Sequence, residues 1–205
     1  MAYSRLLLLL IGVISSHLPE VQARPTDFWC NRQARKNMEE RIEMLKTDMA
    51  GCVGADTLPS PVQLPCVSVH TAEWANKTKH CDSVCVLVQL HQKRSEVVGA
   101  LQVFRDGVQG ARNQTTLDCQ TSLLEKLGHH IANYLAIVNR LQIQNGTVTP
   151  PHFAVQNCSS RNSTSEVLKQ YGNLLKGKLE RLAIDLQDGI CKVEHRTTNT
   201  KGPCS

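Results

Sequence analysis

Four stretches of this chain repeat apolar residues every three or four positions, and no other feature constrains the fold as strongly. Each repeat places its apolar side chains along one face of an α-helix, so each helix should bury that face. The pattern therefore predicts an all-α domain of four amphipathic helices. The expected core positions are Ala34, Met38, Ile42, Leu45 and Met49 in the first helix; Val84, Leu87, Val88, His91, Val98, Leu101, Phe104 and Val108 in the second; Leu124, Leu127, Ile131, Tyr134, Leu135, Val138 and Leu141 in the third; and Val167, Leu168, Tyr171, Leu174, Leu175, Leu179, Leu182 and Leu186 in the fourth.

Residues that favour helix ends flank these stretches. Ser122 and Ser163 each precede a glutamate by three positions, which is the spacing of an N-terminal capping box. Asp82 is placed to accept a hydrogen bond from the first turn of the second helix. Gly51 and Gly189 follow the first and fourth helices, where glycine favours helix termination. These signals predict where the helices begin and end.

The lengths of the connecting segments predict the topology. Roughly ten residues join the second and third helices, which is typical of antiparallel neighbours. The other two links are long enough to run back along a helix of about 30 Å, because an extended chain covers about 3.3 Å per residue. Two parallel pairs can then form, so we expect an up-up-down-down four-helix bundle with two long crossover loops. The first crossover also holds a candidate strand at Val67 and Val69.

Residues 1–23 carry the features of a signal peptide. Arg5 precedes an apolar run over residues 6–14, which is shorter than the roughly 20 residues that a membrane helix needs. Small residues lead up to Ala23, so cleavage is expected after it. Residues 24–192 would then form the folded domain and residues 193–205 a short tail. We expect a secreted, extracellular protein that does not insert into membranes.

Nine cysteines are typical of an oxidising compartment. In the predicted topology, Cys30 at the start of the first helix lies near Cys191 at the end of the fourth. Cys52, after the first helix, lies near Cys119, before the third. Sequence alone does not determine connectivity. The partners of the remaining cysteines stay open, and these are Cys66, Cys81, Cys85, Cys158 and Cys204.

Five Asn-X-Ser/Thr sequons also indicate secretion. They begin at Asn76, Asn113, Asn145, Asn157 and Asn162, and the last four fall in predicted links, which leaves the helix faces free. The net charge of +5 is modest and is spread along a chain with few aromatic residues. Binding to nucleic acid requires a basic stripe with stacking aromatics, so we expect no nucleic-acid partner.

Catalytic motifs are absent from the sequence. It contains no Gly-rich phosphate loop, nucleophile elbow or HExxH metal motif, so we expect neither an enzyme nor a cofactor. His130 is interpreted as a packing residue of the third helix rather than a general base. One alternative is a zinc site at His80, Cys81 and Cys85, although these cysteines should be oxidised in an exported chain. Another alternative is a secreted helical carrier with an apolar ligand pocket.

Several local motifs are similar to those of a known family. They are Pro-Val-Gln-Leu-Pro at residues 61–65 with Glu73-Trp74 downstream, Val-Gly-Ala-Leu at residues 98–101, and Leu-Leu-Lys-Gly-Lys at residues 174–178. With the cysteine spacing, they make the chain resemble the thrombopoietin/erythropoietin family of four-helix cytokines from Cys30 to Cys191. Mammalian thrombopoietins carry a long glycosylated tail after this domain. The resemblance therefore implies a short form without that tail.

The resemblance implies a haematopoietic cytokine hormone that acts by binding. Members of the family bring together two copies of a class I cytokine receptor. Here this implies the thrombopoietin receptor, signalling through JAK-STAT, and the production of megakaryocytes and thrombocytes. The alternative within the family is an erythropoietin-like hormone that acts on the erythropoietin receptor. The hormone itself is expected to be a monomer.

The resemblance also implies two disulfides and two receptor-binding faces. The structural disulfides of the family correspond to Cys30–Cys191 and Cys52–Cys119. The high-affinity face, on the fourth helix and the first crossover, corresponds to Asn173, Lys176, Gly177, Lys178 and Arg181. The lower-affinity face, on the first and third helices, corresponds to Arg32, Arg35, Lys36 and His129. Gly177 inside a helix costs about 1 kcal/mol relative to alanine, and close approach of a receptor side chain would explain it.

Overall fold

Helices make up most of the computed structural model, which describes residues 25–66, 74, 82–141, 143, 157–187 and 191. A short helix, α1 (Pro25–Cys30), precedes three long helices, α2 (Arg32–Ala50), α3 (Ser83–Gln114) and α4 (Asp118–Asn139). The fourth long helix consists of α5 (Thr164–Leu174), a π-helical turn (Leu175–Leu179) and α6 (Glu180–Leu186). The prediction of four long helices is confirmed.

Two disulfides relate α2 to its neighbours. Cys30 is bonded to Cys191 with the Cα atoms 5.6 Å apart, so the start of α2 lies beside the end of the fourth helix. Cys52 is bonded to Cys119 with the Cα atoms 6.0 Å apart, so the end of α2 lies beside the start of α4. These are the pairings that the resemblance implies. They make α2 antiparallel to both α4 and the fourth helix.

Hydrogen bonds complete the topology. Arg94, in the first half of α3, donates from Nε to the carbonyl oxygen of Val138 near the end of α4, at 3.0 Å. These two helices are therefore antiparallel. The backbone N–H of Thr164 donates to the carbonyl of Asp56 at 2.7 Å, which places the start of the fourth helix near the end of α2. The expected up-up-down-down bundle with two long crossovers follows from these contacts.

The two crossovers pair with each other in a small antiparallel sheet. Strand β1 (Thr57–Pro65) belongs to the first crossover and β2 (Asn157–Ser163) to the second. The sequence does not predict this sheet, because prolines interrupt β1 and polar residues fill β2. The candidate strand at Val67 and Val69 lies outside the described residues.

Strand β1 packs closely on α3. Val62 is buried, and a Cβ atom added to Gly107 would lie 2.5 Å from Val62 Cγ1. Real Cβ contacts are essentially never that short. The absence of a side chain at Gly107 therefore lets the first crossover lie directly against the helix.

Three predicted helix-end signals act as expected. Asp82 accepts a hydrogen bond from the backbone N–H of Cys85 at 2.8 Å and caps α3. Ser163 accepts from the backbone N–H of Glu166 at 3.2 Å and caps the fourth helix. Gly51 is the residue that ends α2. The predicted signal at Gly189 lies outside the described residues.

The predicted start of the third helix at Ser122 is wrong. Helix α4 begins one turn earlier, at Asp118, and Leu117 before it provides no side-chain cap. Gln120 anchors this end instead, because its Nε2 donates to the carbonyl oxygen of Ala55 at 2.8 Å. A tertiary contact with the first crossover thus replaces the local capping signal.

The core follows the predicted apolar faces more closely in α4 and the fourth helix than in α2 and α3. In α2, Ile42 and Leu45 are buried, whereas Ala34, Met38 and Met49 are half-buried. Every core position expected in the third and fourth helices is buried. In α3 the expected face is wrong near the start, since Val84 is exposed while Leu90, Lys93 and Val97 are buried. The face turned inward therefore contains a lysine, which a search for apolar residues does not reveal.

Candidate functional site

Lys176 is the most accessible of the fourth-helix residues assigned to the high-affinity face. Its side chain is 56% exposed, and its Nζ lies 3.4 Å from Glu43 Oε1 on α2. Asn173 and Arg181 are half-buried. Gly177 lies in the π-helical turn and is buried by the rest of the protein. The protein itself therefore covers this glycine, which argues against the close approach of a receptor side chain expected from the sequence.

Lys178 lies in a group of charges around Trp74 of the first crossover. Its Nζ is 3.1 Å from Glu96 Oε2 and 5.4 Å from the centre of the Trp74 ring. Trp74 Nε1 donates to the same carboxylate oxygen at 2.6 Å. An ammonium over an indole face is attracted by the ring quadrupole. The first crossover, α3 and the fourth helix therefore meet at Lys178.

A second ammonium group lies against the same ring. Lys93 Nζ is 4.8 Å from the centre of the Trp74 ring and 2.6 Å from Asp185 Oδ2, and its side chain is fully buried. Arg181 Nε lies 3.7 Å from the other oxygen of Asp185. A buried lysine requires such a partner, because an unpaired buried charge is strongly destabilising. We call these six residues the Trp74 cluster: Trp74, Lys93, Glu96, Lys178, Arg181 and Asp185.

Arg35, assigned by the resemblance to the lower-affinity face, lies in the interior. Its side chain is only 1% exposed. Nε and Nη2 donate to the two carboxylate oxygens of Glu180 at 2.7 and 3.1 Å. Nη1 donates to the carbonyl of Trp29 at 2.6 Å. The prediction that Arg35 lies on a binding surface is therefore wrong, because its charge is used to join α1, α2 and the fourth helix.

The other residues assigned to the lower-affinity face are on the surface. Arg32 and Lys36 are exposed on α2, and His129 is exposed on α4. The two helices contact each other directly, since His130 Nε2 lies 3.0 Å from the carbonyl oxygen of Met38. The two helices that carry these residues are therefore packed against each other.

His130 is a buried packing residue, as the sequence analysis interpreted it. A carbonyl oxygen only accepts, so Nε2 must donate to Met38, and Nδ1 then accepts from the Tyr171 hydroxyl at 3.1 Å. Burial, with the nearby charge of Arg41, holds the pKa of His130 below its ordinary value. The interior of the bundle is therefore arranged around a neutral imidazole.

The sequons fall on different elements. Asn113 is exposed in the last turn of α3, rather than in a link as predicted. Asn162 is exposed on β2, and Asn157 begins that strand. Asn76 and Asn145 lie outside the described residues.

Cys66 and Cys85 are also disulfide-bonded. A disulfide sulfur is not a thiolate, so the alternative zinc site at Cys85 is wrong. His80 and Cys81 lie outside the described residues. Within the described ranges, no group of three His, Cys, Asp or Glu residues is arranged to hold a metal ion. In the same part of the chain, no helix is sufficiently long and apolar to cross a bilayer.

Comparison with known proteins identifies related sequences. A family model described as Erythropoietin/thrombopoietin matches residues 30–194. Thrombopoietin of the rat (Rattus norvegicus) is 24% identical over 184 residues, which are 90% of this chain and 51% of the rat protein. Thrombopoietin of the dog (Canis lupus familiaris) is 24% identical over 199 residues, which are 97% of this chain and 51% of the dog protein. Thrombopoietin of the mouse (Mus musculus) is 25% identical over 162 residues, 79% of this chain and 41% of the mouse protein.

The chain spans about half the length of these relatives. The family match nevertheless includes both crossovers, both disulfides described above and all four long helices of the bundle. The chain therefore belongs to the erythropoietin/thrombopoietin family, whose members are cytokines rather than enzymes.

Proposed function

We propose that this chain is a secreted haematopoietic hormone that binds and dimerises two copies of a class I cytokine receptor, the thrombopoietin receptor. Dimerisation activates JAK-STAT signalling and drives the production of megakaryocytes and thrombocytes. The observation that carries the proposal is the family match over residues 30–194, together with relatives that are named thrombopoietin. The hormone acts as a monomer with two different faces.

The first face lies where the fourth helix meets the first crossover. It comprises Asn173, Lys176, Lys178 and Arg181, whereas Gly177, which the resemblance also assigned to this face, is buried. The exposure of Lys176 and the half-buried position of Arg181 support this assignment, because both cations can reach carboxylates of a partner. The ammonium group of Lys178 also lies over the Trp74 ring of the first crossover.

The second face lies on α2 and α4. It comprises Arg32, Lys36 and His129, and it no longer includes Arg35. With one receptor on each face, Lys36→Glu should leave the first face intact. This variant should form 1:1 complexes with soluble receptor and fail to signal. Mass photometry of the mixture distinguishes them from 1:2 complexes, and 1:2 complexes of this variant would contradict the placement of the second face.

Secretion and glycosylation belong to the same proposal. Residues 1–23 act as a signal peptide, residues 24–192 form the cytokine domain and residues 193–205 form a tail. Glycans are attached at Asn76, Asn113, Asn145, Asn157 and Asn162. The exposure of Asn113 and Asn162 supports two of these attachments.

Paired reporter cells test the receptor. One line carries the thrombopoietin receptor and the other carries the erythropoietin receptor, both from the source species of this chain, and STAT-dependent transcription is measured. We expect a response only through the thrombopoietin receptor. A response only through the erythropoietin receptor would overturn the receptor assignment and retain the mechanism. Silence in both lines, with folded and oxidised protein, would overturn the proposed function.

A further inference from the structure

Glu96 already forms an ion pair with Lys178, whose ammonium group the first face would offer to a receptor. One oxygen of its carboxylate, Oε2, accepts from Trp74 Nε1 at 2.6 Å and lies 3.1 Å from Lys178 Nζ. The side chains of Lys178 and Glu96 are 14% and 21% exposed. The pair is thus partly screened from solvent, but a partner can still reach it.

The two carboxylates of the Trp74 cluster differ in accessibility. Asp185 pairs with Lys93, whose side chain is fully buried, and this pair closes off the inner part of the cluster. Glu96 and Lys178 form the outer pair. The cluster contains three cationic side chains and two carboxylates, so it carries an excess of positive charge. A carboxylate that approaches the cluster meets Lys178 together with Glu96.

We infer that Glu96 competes with the receptor for Lys178, and thereby lowers the affinity of the first face. This inference rests on the proposed function and names a residue that tunes it. A receptor carboxylate that reaches Lys178 must displace Glu96 or share the ammonium with it. Displacement breaks the existing ion pair between Glu96 and Lys178. Sharing brings two carboxylates close together. Trp74 holds the competing carboxylate in position through its indole N–H.

The substitution Glu96→Gln tests this competition. Glutamine has nearly the same shape, and its amide oxygen can still accept from Trp74 Nε1. It lacks the charge that holds Lys178. We expect Glu96→Gln to bind immobilised thrombopoietin receptor ectodomain about two- to five-fold more tightly than the wild-type chain, the range given by ion pairs near a surface.

Two controls isolate the role of Lys178. In a Lys178→Met background, Glu96→Gln should give no gain, because the ammonium under competition is absent. Glu125→Gln makes the same change of net charge on α4, where the carboxylate lies 3.6 Å from Arg112 Nη2. It should not increase affinity. A gain that persists without Lys178, or that Glu125→Gln reproduces, would overturn the inference.

The same binding series separates this inference from the proposed function. If the wild-type chain binds the ectodomain and Glu96→Gln binds equally or more weakly, only the competition is refuted. If the wild-type chain does not bind, the proposed function fails and the inference falls with it. Thermal unfolding of each variant confirms that it is folded.

Discussion

Asp56 of the first crossover caps a helix that begins at Thr164, far along the chain, because its Oδ1 accepts a hydrogen bond from the backbone N–H of Ser165 at 2.8 Å. The Ser163 hydroxyl donates to the same oxygen at 3.0 Å. These hydrogen bonds, led by that of the Ser165 backbone, hold the pKa of Asp56 below its ordinary value. The first crossover therefore stabilises the amino end of the fourth helix.

Removal of the Asp56 carboxylate should destabilise the protein in a pH-dependent way. Asp56→Ala should lower the free energy of unfolding by about 0.5–2 kcal/mol at pH 7, as expected for loss of a helix cap. The pKa of Asp56 is lower in the folded state than in the unfolded state, where it is about 3.9. The stabilisation by the carboxylate is therefore complete above the unfolded pKa and is lost as pH falls through the folded pKa. Denaturant unfolding at pH 7 and pH 2.5 measures it. A difference between wild type and variant that is the same at both pH values would contradict the carboxylate's role.

The contact between Gly107 and Val62 predicts an unfavourable Gly→Ala substitution. The added methyl group of Gly107→Ala would lie 2.5 Å from Val62 Cγ1, so β1 must shift away from α3. We expect a loss of about 1–3 kcal/mol in denaturant unfolding. Gly110→Ala, in the same helix, is the matched control, because nothing lies within 4 Å of its added Cβ. That variant should gain up to about 1 kcal/mol from helix propensity. Equal effects at the two glycines would contradict the close packing of β1.

Arg35 should affect stability and leave receptor binding intact. Glu180→Gln removes the carboxylate from a buried guanidinium, so we expect a loss of about 2–4 kcal/mol in the free energy of unfolding. Arg35→Ala should be destabilising too. Lys36→Ala, at the exposed neighbouring position, should change stability by less than about 0.5 kcal/mol. If Arg35→Ala kept wild-type stability but lost receptor binding, our placement of Arg35 in the core would be incorrect.

Acid should weaken the bundle through His130. Burial is the main reason why the pKa of His130 is lower in the folded state than in the unfolded state. The neutral imidazole is therefore compatible with full stability above about pH 6.5, and the free energy of unfolding declines as pH falls below that value. The wild-type chain should therefore lose more stability between pH 7.5 and 5.5 than His130→Gln. His129→Gln removes an exposed imidazole and should keep the wild-type pH dependence. An unchanged pH dependence in His130→Gln would argue against this role.

Helix number and direction could be predicted because both depend on local spacing. Apolar periodicity marked the faces of α4 and the fourth helix, and the link lengths restricted the order of the four helices. Apolar periodicity did not predict the burial of Lys93. This residue lies three positions after Leu90 and four before Val97, and therefore on the same helix face. The sequence still carries a signal at this position, since a lysine on an apolar face requires a buried anion as its partner. The sequence does not say that this anion is Asp185.

The contacts around the candidate site could not be predicted for a related reason. Trp74 and Lys178 lie about a hundred residues apart in the sequence, and no local spacing encodes their contact. Arg35 and Lys36 look alike as neighbouring basic residues. One is buried because Glu180 lies opposite it, and the other stays in solvent. Charge alone therefore does not separate a core residue from a binding residue.

The prolines of β1 have a consequence for synthesis of the chain. During translation, β1 is synthesised about a hundred residues before β2, the strand with which it pairs. The edge of β1 is therefore unpaired until β2 has been made. An unpaired strand edge is a template for aggregation, but proline has no N–H to donate to another strand. Pro59, Pro61 and Pro65 occupy three of the nine positions of β1. The prolines that make this strand difficult to predict from the sequence thus also protect the nascent chain from premature pairing.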